Sequence, residues 1–143
     1  MRNVMLGAVL ARSDSDVWVG GGVRNSKGGY TEAVGHWNGH AWSMVTLPVS
    51  GTTGQWHVNS IVPDGSGGLW ALGYCMATCG VHPSRIWHEA DGRWTGPVVP
   101  SWEVKDSALD QLAATGHSVW GVGRVNNNGI YAGLIVRNGP VPG

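Results

Sequence analysis

A short apolar strand motif centred on tryptophan occurs three times along the chain. The tryptophans lie 52 and 50 residues apart, and a period of this size indicates repeated supersecondary units. One such unit cannot bury its own apolar face, so the units are expected to stack on one another. The three copies read Asp16-Val17-Trp18-Val19-Gly20-Gly21, Gly68-Leu69-Trp70-Ala71-Leu72-Gly73 and Ser118-Val119-Trp120-Gly121-Val122-Gly123.

Each unit divides into the same series of predicted strands around this motif. Asn38-Gly39 and Asp91-Gly92 separate the third and fourth strands, and both dipeptides are strong hairpin signals between apolar runs. Pro48 and Pro100 close the fourth strands, where a missing backbone donor suits the end of an outer strand. The predicted first strands cover 6–11, 58–62 and 109–114, the third strands 30–37, 84–88 and 130–137, and the fourth strands 42–47 and 94–99.

The composition favours an all-β chain. It contains 24 glycines, 9 tryptophans and no phenylalanine, and only 13% of its residues are charged, so polar helical surfaces are missing. Four short antiparallel strands in about 50 residues describe one blade of a β-propeller. We therefore predict an all-β partial β-propeller with two complete four-stranded blades and an incomplete third. The chain would form a single repeat domain over 1–143, with blades at about 1–50, 51–103 and 104–143.

The third unit differs from the others at its end. A second tryptophan, Trp42 or Trp94, follows the motif tryptophan by 24 residues in the first two units, and the equivalent position in the third lies past Gly143. A fourth strand is therefore not expected there. Because propellers close with four or more blades, three explanations remain open: a fragment of a longer propeller, which we favour, two copies that complete one six-bladed ring, or an open stack with unusual capping.

The first unit resembles known repeats. The run 16–21, the run His36-Trp37-Asn38-Gly39-His40-Ala41-Trp42 and Leu47-Pro48 are similar to repeats of secreted bacterial, actinobacterial-type β-propeller proteins and to the kelch repeat. The resemblance covers nearly the whole chain, although Val136 replaces the third-strand tryptophan in the third unit. It implies a propeller fold more than an activity, because such propellers serve as binding modules, lectins, scaffolds and enzyme domains.

Charge and hydropathy exclude several classes of partner. The formal net charge is zero, with 9 basic and 9 acidic residues, so no basic surface for nucleic acid or anionic lipid is expected. No apolar stretch reaches the ~20 residues of a membrane helix. The apolar run at 4–11 imitates a short signal peptide, but it aligns with the first strands of the other units. We therefore predict a strand there and no convincing signal peptide.

The two cysteines, Cys75 and Cys79, lie in the loop after the second tryptophan strand. Their C-x-x-x-C spacing matches no common zinc or redox motif. A disulfide that staples the loop and a pair of free thiols both remain open, and we favour the disulfide. That pairing requires an oxidising compartment, and together with the resemblance it predicts an extracellular or secreted protein.

The histidines and aspartates that could bind a metal or act in catalysis are explained better as turn-forming residues. His36 and His40 flank the Asn38-Gly39 turn, where a two-residue loop would set His36 opposite Ala41 and point the imidazoles to opposite faces. The aspartates Asp14, Asp16 and Asp64 lie in turns, which suit short polar side chains. We predict no catalytic residue, no cofactor and no metal ligand.

The connectors between units are better candidates for binding. Tryptophan beside polar residues can stack on a sugar or anchor a protein partner, although these tryptophans could also plug the grooves between blades. The candidate residues are Trp56, His57, Trp102, Glu103 and Lys105. The predicted function is a non-catalytic binding module that meets a protein or glycan through its blade loops. The alternatives are part of a kelch-like propeller enzyme, of oxidase or glycoside hydrolase type, and a carbohydrate-binding lectin.

Overall fold

Three antiparallel sheets follow one another along the chain. The computed structural model describes residues 3–49, 53–79, 83–98 and 107–138, and within these ranges every regular element is a strand. The first sheet contains β1 Val4–Ser13, β2 Asp16–Arg24, β3 Tyr30–Trp37 and β4 Trp42–Thr46; the second contains β5 Trp56–Pro63, β6 Leu69–Cys75, β7 Ser84–Ala90 and β8 Arg93–Val98; the third contains β9 Ala108–Thr115, β10 Ser118–Asn127 and β11 Ile130–Asn138.

Strands that are adjacent in sequence are paired in every sheet, so each sheet is a simple meander. The all-β class is confirmed, and the numbers of strands agree with the repeat pattern. The run that imitates a signal peptide forms β1. The arrangement of the sheets as propeller blades and the blade boundaries stay predictions. In the described part of the chain, no helix is long and apolar enough to cross a membrane.

The two predicted hairpin turns have different structures. Ala90 pairs with Arg93 across Asp91-Gly92, and φ is 53° at Asp91 and 78° at Gly92. This is the two-residue turn with two positive φ angles that an Asp-Gly pair favours, because glycine tolerates this backbone conformation.

The turn at Asn38-Gly39 is longer than predicted. Trp37 pairs with Trp42 and His36 with Ser43, so the loop covers 38–41 and the predicted pairing of His36 with Ala41 is wrong. The Oδ1 of Asn38 accepts hydrogen bonds from the backbone N–H groups of His40, at 3.0 Å, and Ala41, at 2.9 Å. The asparagine side chain, an alternative local acceptor for the backbone, therefore closes the loop.

The first sheet packs on the second through a continuous apolar core. A Cβ atom at Gly20 would meet the side chains of Val58 and Ile61, so the absent side chain allows the sheets to approach closely. Trp87 is fully buried between the sheets, and its Nε1 donates to the carbonyl of Pro48 at 3.0 Å. The buried core residues are Val34, Leu47, Val58, Ile61, Leu69, Ala71 and Trp87.

The second sheet packs on the third through polar contacts as well as apolar ones. Ser84 Oγ accepts a hydrogen bond from the backbone of Leu109 at 2.9 Å, and both residues are buried. Asn59 Nδ2 donates to the carbonyl of Asp110 at 2.7 Å. The first bond joins β7 to β9 and the second joins β5 to β9, and both satisfy polar groups at the contact between the two sheets.

Each sheet has two distinct faces. We call the face that carries Trp18, Trp70 or Trp120 the indole face, and the opposite face the receiving face. The indole face of the first sheet packs on the receiving face of the second, where Gly20 approaches Val58 and Ile61. The indole face of the second packs on the receiving face of the third, where Trp70, Leu109 and Val119 line one small cavity. Each sheet therefore presents its indole face to the receiving face of the next sheet along the chain.

Candidate functional site

A histidine lies flat on the motif tryptophan in the first two sheets. His36 pairs with Trp18 across β2 and β3, and their rings stack with centroids 4.1 Å apart and an interplanar angle of 14°. His88 pairs with Trp70 in the same way, at 4.1 Å and 21°. The neighbouring strands place the two side chains on the same face of the sheet, so the rings meet directly.

An aspartate at the start of the tryptophan strand, or in the loop before it, holds each histidine. Asp16 Oδ1 lies 2.9 Å from His36 Nε2 and accepts from Trp18 Nε1 at 3.0 Å. Asp64 Oδ2 lies 2.8 Å from His88 Nε2. Asp16 is two residues before its tryptophan, as the first residue of β2, and Asp64 is six residues before Trp70, in the loop after β5. Two different local structures therefore bring a carboxylate to the histidine.

Hydrogen bonds keep both carboxylates ionised. Partial burial alone would raise the pKa of Asp16, but the bond to His36 and the nearby charge of Arg12 outweigh it and lower that pKa below 3.8. Burial also acts against the charge of Asp64, yet its bond to His88 and those from the backbone of Ser66 and Gly68 lower its pKa below 3.8. Charged carboxylates at these positions are thus favoured at neutral pH.

The third sheet carries a variant of this cluster. Arg137 pairs with Trp120 at the position of the histidines, and its guanidinium lies over the indole at 5.2 Å from the ring centroid. Ser118 Oγ accepts from the Arg137 side chain at 2.9 Å. A cation–π contact therefore replaces the histidine stack, and a hydroxyl replaces the carboxylate.

A groove of about 1000 Å³ lies between the first two sheets at the end where these clusters occur. Arg12 links the two sheets at one end of the groove, because its guanidinium lies 2.7 Å from the carboxylate of Asp16 and donates to the carbonyl of Gly67 at 2.8 Å. The groove combines two indoles, two imidazoles and charges of both signs. Its lining residues include Arg12, Trp18, His36, Asp64, His88, Glu89, Arg93 and Trp94.

The predicted binding residue Trp56 lies away from this groove. It is only 2% exposed, and the guanidinium of Arg85 covers its ring at 3.7 Å from the centroid. Arg85 also reaches the buried carboxylate of Glu32 at 3.5 Å. Burial raises the pKa of Glu32 although Arg85 acts against the rise. Because its ring is already covered, Trp56 has a packing role in the described structure and is not part of the groove.

His57 follows Trp56 on β5 and points to the opposite face. Its ring meets Tyr74 edge to face, with centroids 6.2 Å apart. Burial lowers the pKa of His57, and among the described residues its Nδ1 has no hydrogen-bond partner. The structure thus does not bring Trp56 and His57 together as one site. Trp102, Glu103 and Lys105 lie outside the described residues.

Cys75 and Cys79 are joined by the disulfide that the sequence favours. The bond closes the start of the loop after β6, and it is compatible with an extracellular protein. His36 and His40 do not act as a pair, because His36 is bound to Asp16 while His40 lies in the exposed turn. Within the described ranges, no three His, Cys, Asp or Glu residues form a group that could hold a metal ion.

The groove residues were missed as a site from sequence alone. A usable signal was present, because His36 and His88 each follow the motif tryptophan by 18 residues. The arginine of the third unit follows Trp120 by 17. Comparisons of the chain with protein-family models, with curated proteins and with solved structures found no match.

Proposed function

We propose that the chain is a non-catalytic binding module of β-propeller type, whose ligand lies in the groove between the first two sheets. The groove itself carries the proposal, because it places aromatic rings beside hydrogen-bonding and charged side chains that are already fixed by their own contacts. Trp18 and His36 are held by Asp16, so these side chains would lose little conformational entropy on binding.

The stacking of the sheets supports the propeller assignment. Each sheet is an antiparallel meander, and successive sheets pack face to face in one direction. Their first strands, β1, β5 and β9, are neighbours: Gly7 approaches Val58, and Asn59 bonds to Asp110. Blades of a propeller are likewise four-stranded sheets that are repeated around a central channel.

The groove is best suited to a glycan. Its volume of about 1000 Å³ is at the upper end of the range for ligand sites, which suits a short oligosaccharide. Indoles such as Trp94 can pack against sugar rings, while Arg93 and the imidazoles can bond to hydroxyl groups. Each imidazole uses Nε2 for its aspartate, so Nδ1 is the atom through which it can contact a ligand.

The test is a glycan array followed by calorimetry on the glycans retained. Arg93→Ala removes an exposed groove side chain, and we expect it to weaken binding about tenfold or more, as loss of a charged hydrogen bond does. Arg24→Ala is the matched control, since Arg24 is exposed at the far end of β2, and it should bind as the unmodified chain does. A blank array, or binding that ignores Arg93, would contradict the proposal. Capture of a defined protein that Arg93→Ala abolishes would instead assign the groove to a protein partner.

A glycoside hydrolase is the second candidate, because Asp64 and Glu89 both line the groove and such enzymes use two carboxylates. Their existing bonds favour a structural role. Glu89 Oε1 accepts from the backbone of Gly92 at 2.7 Å, and Asp64 is bonded to His88 and to its own turn. Release of sugar from chromogenic glycosides, lost in Glu89→Gln, would support the enzyme over the binding module.

A further inference from the structure

Two sheet faces of the described chain have no partner. The receiving face of the first sheet exposes Leu6 at 63% and Val9 at 70%. The indole face of the third sheet exposes Val122 at 47% and Ile135 at 73%. Both faces also carry an exposed tryptophan, Trp42 or Trp120, and exposed apolar surfaces of this kind mark interaction sites.

The equivalent residues of the receiving face are buried in the second sheet. Leu6 pairs with Gly21 as Val58 pairs with Gly73, and Val9 pairs with Val19 as Ile61 pairs with Ala71. Val58 is 0% exposed and Ile61 is 5% exposed, because the first sheet covers them. The same positions in the first sheet are exposed only because no indole face lies on them.

The indole face shows the converse relation. Val122 pairs with Ile135 in the third sheet as Gly20 pairs with Val34 in the first. Val34 is 1% exposed because the receiving face of the second sheet covers it, whereas Ile135 is 73% exposed. Among the described residues, one face of each type is therefore unused, and the internal interfaces show which face fits on which.

We propose that two copies of this chain associate head to tail, with the indole face of the third sheet of each copy on the receiving face of the first sheet of the other. Such a contact joins unlike surfaces, so it must close into a ring to remain finite. Two copies bring six sheets, which is within the four to eight blades of known propellers, whereas three would bring nine. The proposal does not depend on the ligand of the groove.

The internal interfaces indicate the new contacts. A Cβ at Gly20 would meet Val58 and Ile61, so Val122 of one copy should lie over Leu6 and Val9 of the other. A branched side chain fits at this position, because Leu72 occupies it in the second sheet and is fully buried. A charge at Val9 or Ile135 would have to be buried without a partner, which is costly.

The test is the mass of the whole chain in solution by light scattering, with a monomer mass of 15.1 kDa as reference. We expect twice that mass for the unmodified chain and a monomer for both Val9→Glu and Ile135→Glu. Ile130→Glu is the matched control. Ile130 lies on the same strand and is 74% exposed, but it belongs to the opposite face, so this variant should remain a dimer.

An experiment that mixes the two variants distinguishes a head-to-tail contact from a contact between like faces. Val9→Glu keeps its indole face and Ile135→Glu keeps its receiving face, so an equal mixture can form one unmodified contact. We expect mixed dimers at concentrations where each variant alone is monomeric. Circular dichroism of each variant checks that it is folded, since none of the three side chains is buried in one chain. A monomeric unmodified chain, a ladder of larger assemblies, or a monomeric Ile130→Glu variant would overturn the proposal.

Discussion

The imidazole of His36 stacks on the indole of Trp18 with their centroids 4.1 Å apart. Asp16 holds both rings through hydrogen bonds to His36 Nε2 and Trp18 Nε1. This small cluster ties β2 to β3, and the second sheet repeats the stack and the histidine–aspartate bond with Trp70, His88 and Asp64. Such a contact contributes to stability through stacking and through a hydrogen bond to an ionised group.

Removal of the stacked imidazole should weaken the fold. We expect His36→Ala to lower the free energy of unfolding by about 1–2 kcal/mol, since a stack and a partly exposed charged hydrogen bond are lost together. Urea unfolding followed by tryptophan fluorescence measures this change. His40→Ala makes the same replacement in the exposed turn and should change stability by less than about 0.5 kcal/mol. Equal effects of the two variants would show that the stack contributes nothing.

Because of the Asp64 carboxylate, the free energy of unfolding should decrease at low pH. The pKa of this carboxylate in the folded chain is below 3.8, so the unfolded chain takes up the proton first as pH falls. Its stabilising effect is therefore complete above this value and is lost as pH falls through the folded pKa. Asp64→Asn should be less stable than the unmodified chain at about pH 5.5, and the difference should shrink towards about pH 2.5. Melting temperatures across this range test it, and a difference that grows in acid would contradict it.

Protonation of His57 should affect the stability of the fold at a higher pH than protonation of Asp64 does. Burial lowers the pKa of His57 in the folded chain below 6.5, so the unfolded chain binds its proton first. Stability is then complete above 6.5 and declines as pH falls from there towards the folded pKa. His57→Gln should remove this decline, while His117→Gln, in an exposed turn, should keep it. The measurement is the urea midpoint between about pH 5 and 7.5, and an unchanged slope in His57→Gln would be evidence against the assignment.

The disulfide should contribute modestly, because it closes a very short loop with a sequence separation of 4. Restriction of the unfolded chain by such a loop is worth roughly 2 kcal/mol. We expect a thiol reductant to lower the free energy of unfolding by about this amount. The Cys75→Ser, Cys79→Ser double variant should match the reduced chain and should not respond to reductant. If the double variant is as stable as the oxidised chain, the bond has no stabilising role.

The local features of the fold could be predicted because their causes are local. The tryptophan period predicted the three sheets, and short apolar runs bounded by turn residues predicted the strands in the right order. The Asp91-Gly92 turn follows from the backbone preferences of two residues. The Asn38-Gly39 turn could not be settled in this way, because the side chain of Asn38 competes for backbone groups that lie two and three residues further on.

The candidate site was harder to predict because its parts come from different sheets. Trp56 and His57 were conspicuous as connector residues, yet Arg85 covers the first and Tyr74 adjoins the second. The groove residues looked like ordinary turn and strand residues. The one sequence feature that His36 and His88 share is that each follows the motif tryptophan by 18 residues.

The sequence by itself determined the strands and their order within each sheet, because these depend on residue preferences and on patterns over a few residues. It also determined the repeat, because the tryptophan motif recurs at a nearly constant spacing. Tertiary structure alone decided which face of each sheet is covered, that Trp56 is buried, and that Arg12 of the first sheet reaches Gly67 of the second. These outcomes depend on how separate sheets approach one another. That approach is set by side-chain volumes at contacts between residues far apart in sequence, such as Gly20 against Val58, and no short-range pattern encodes it.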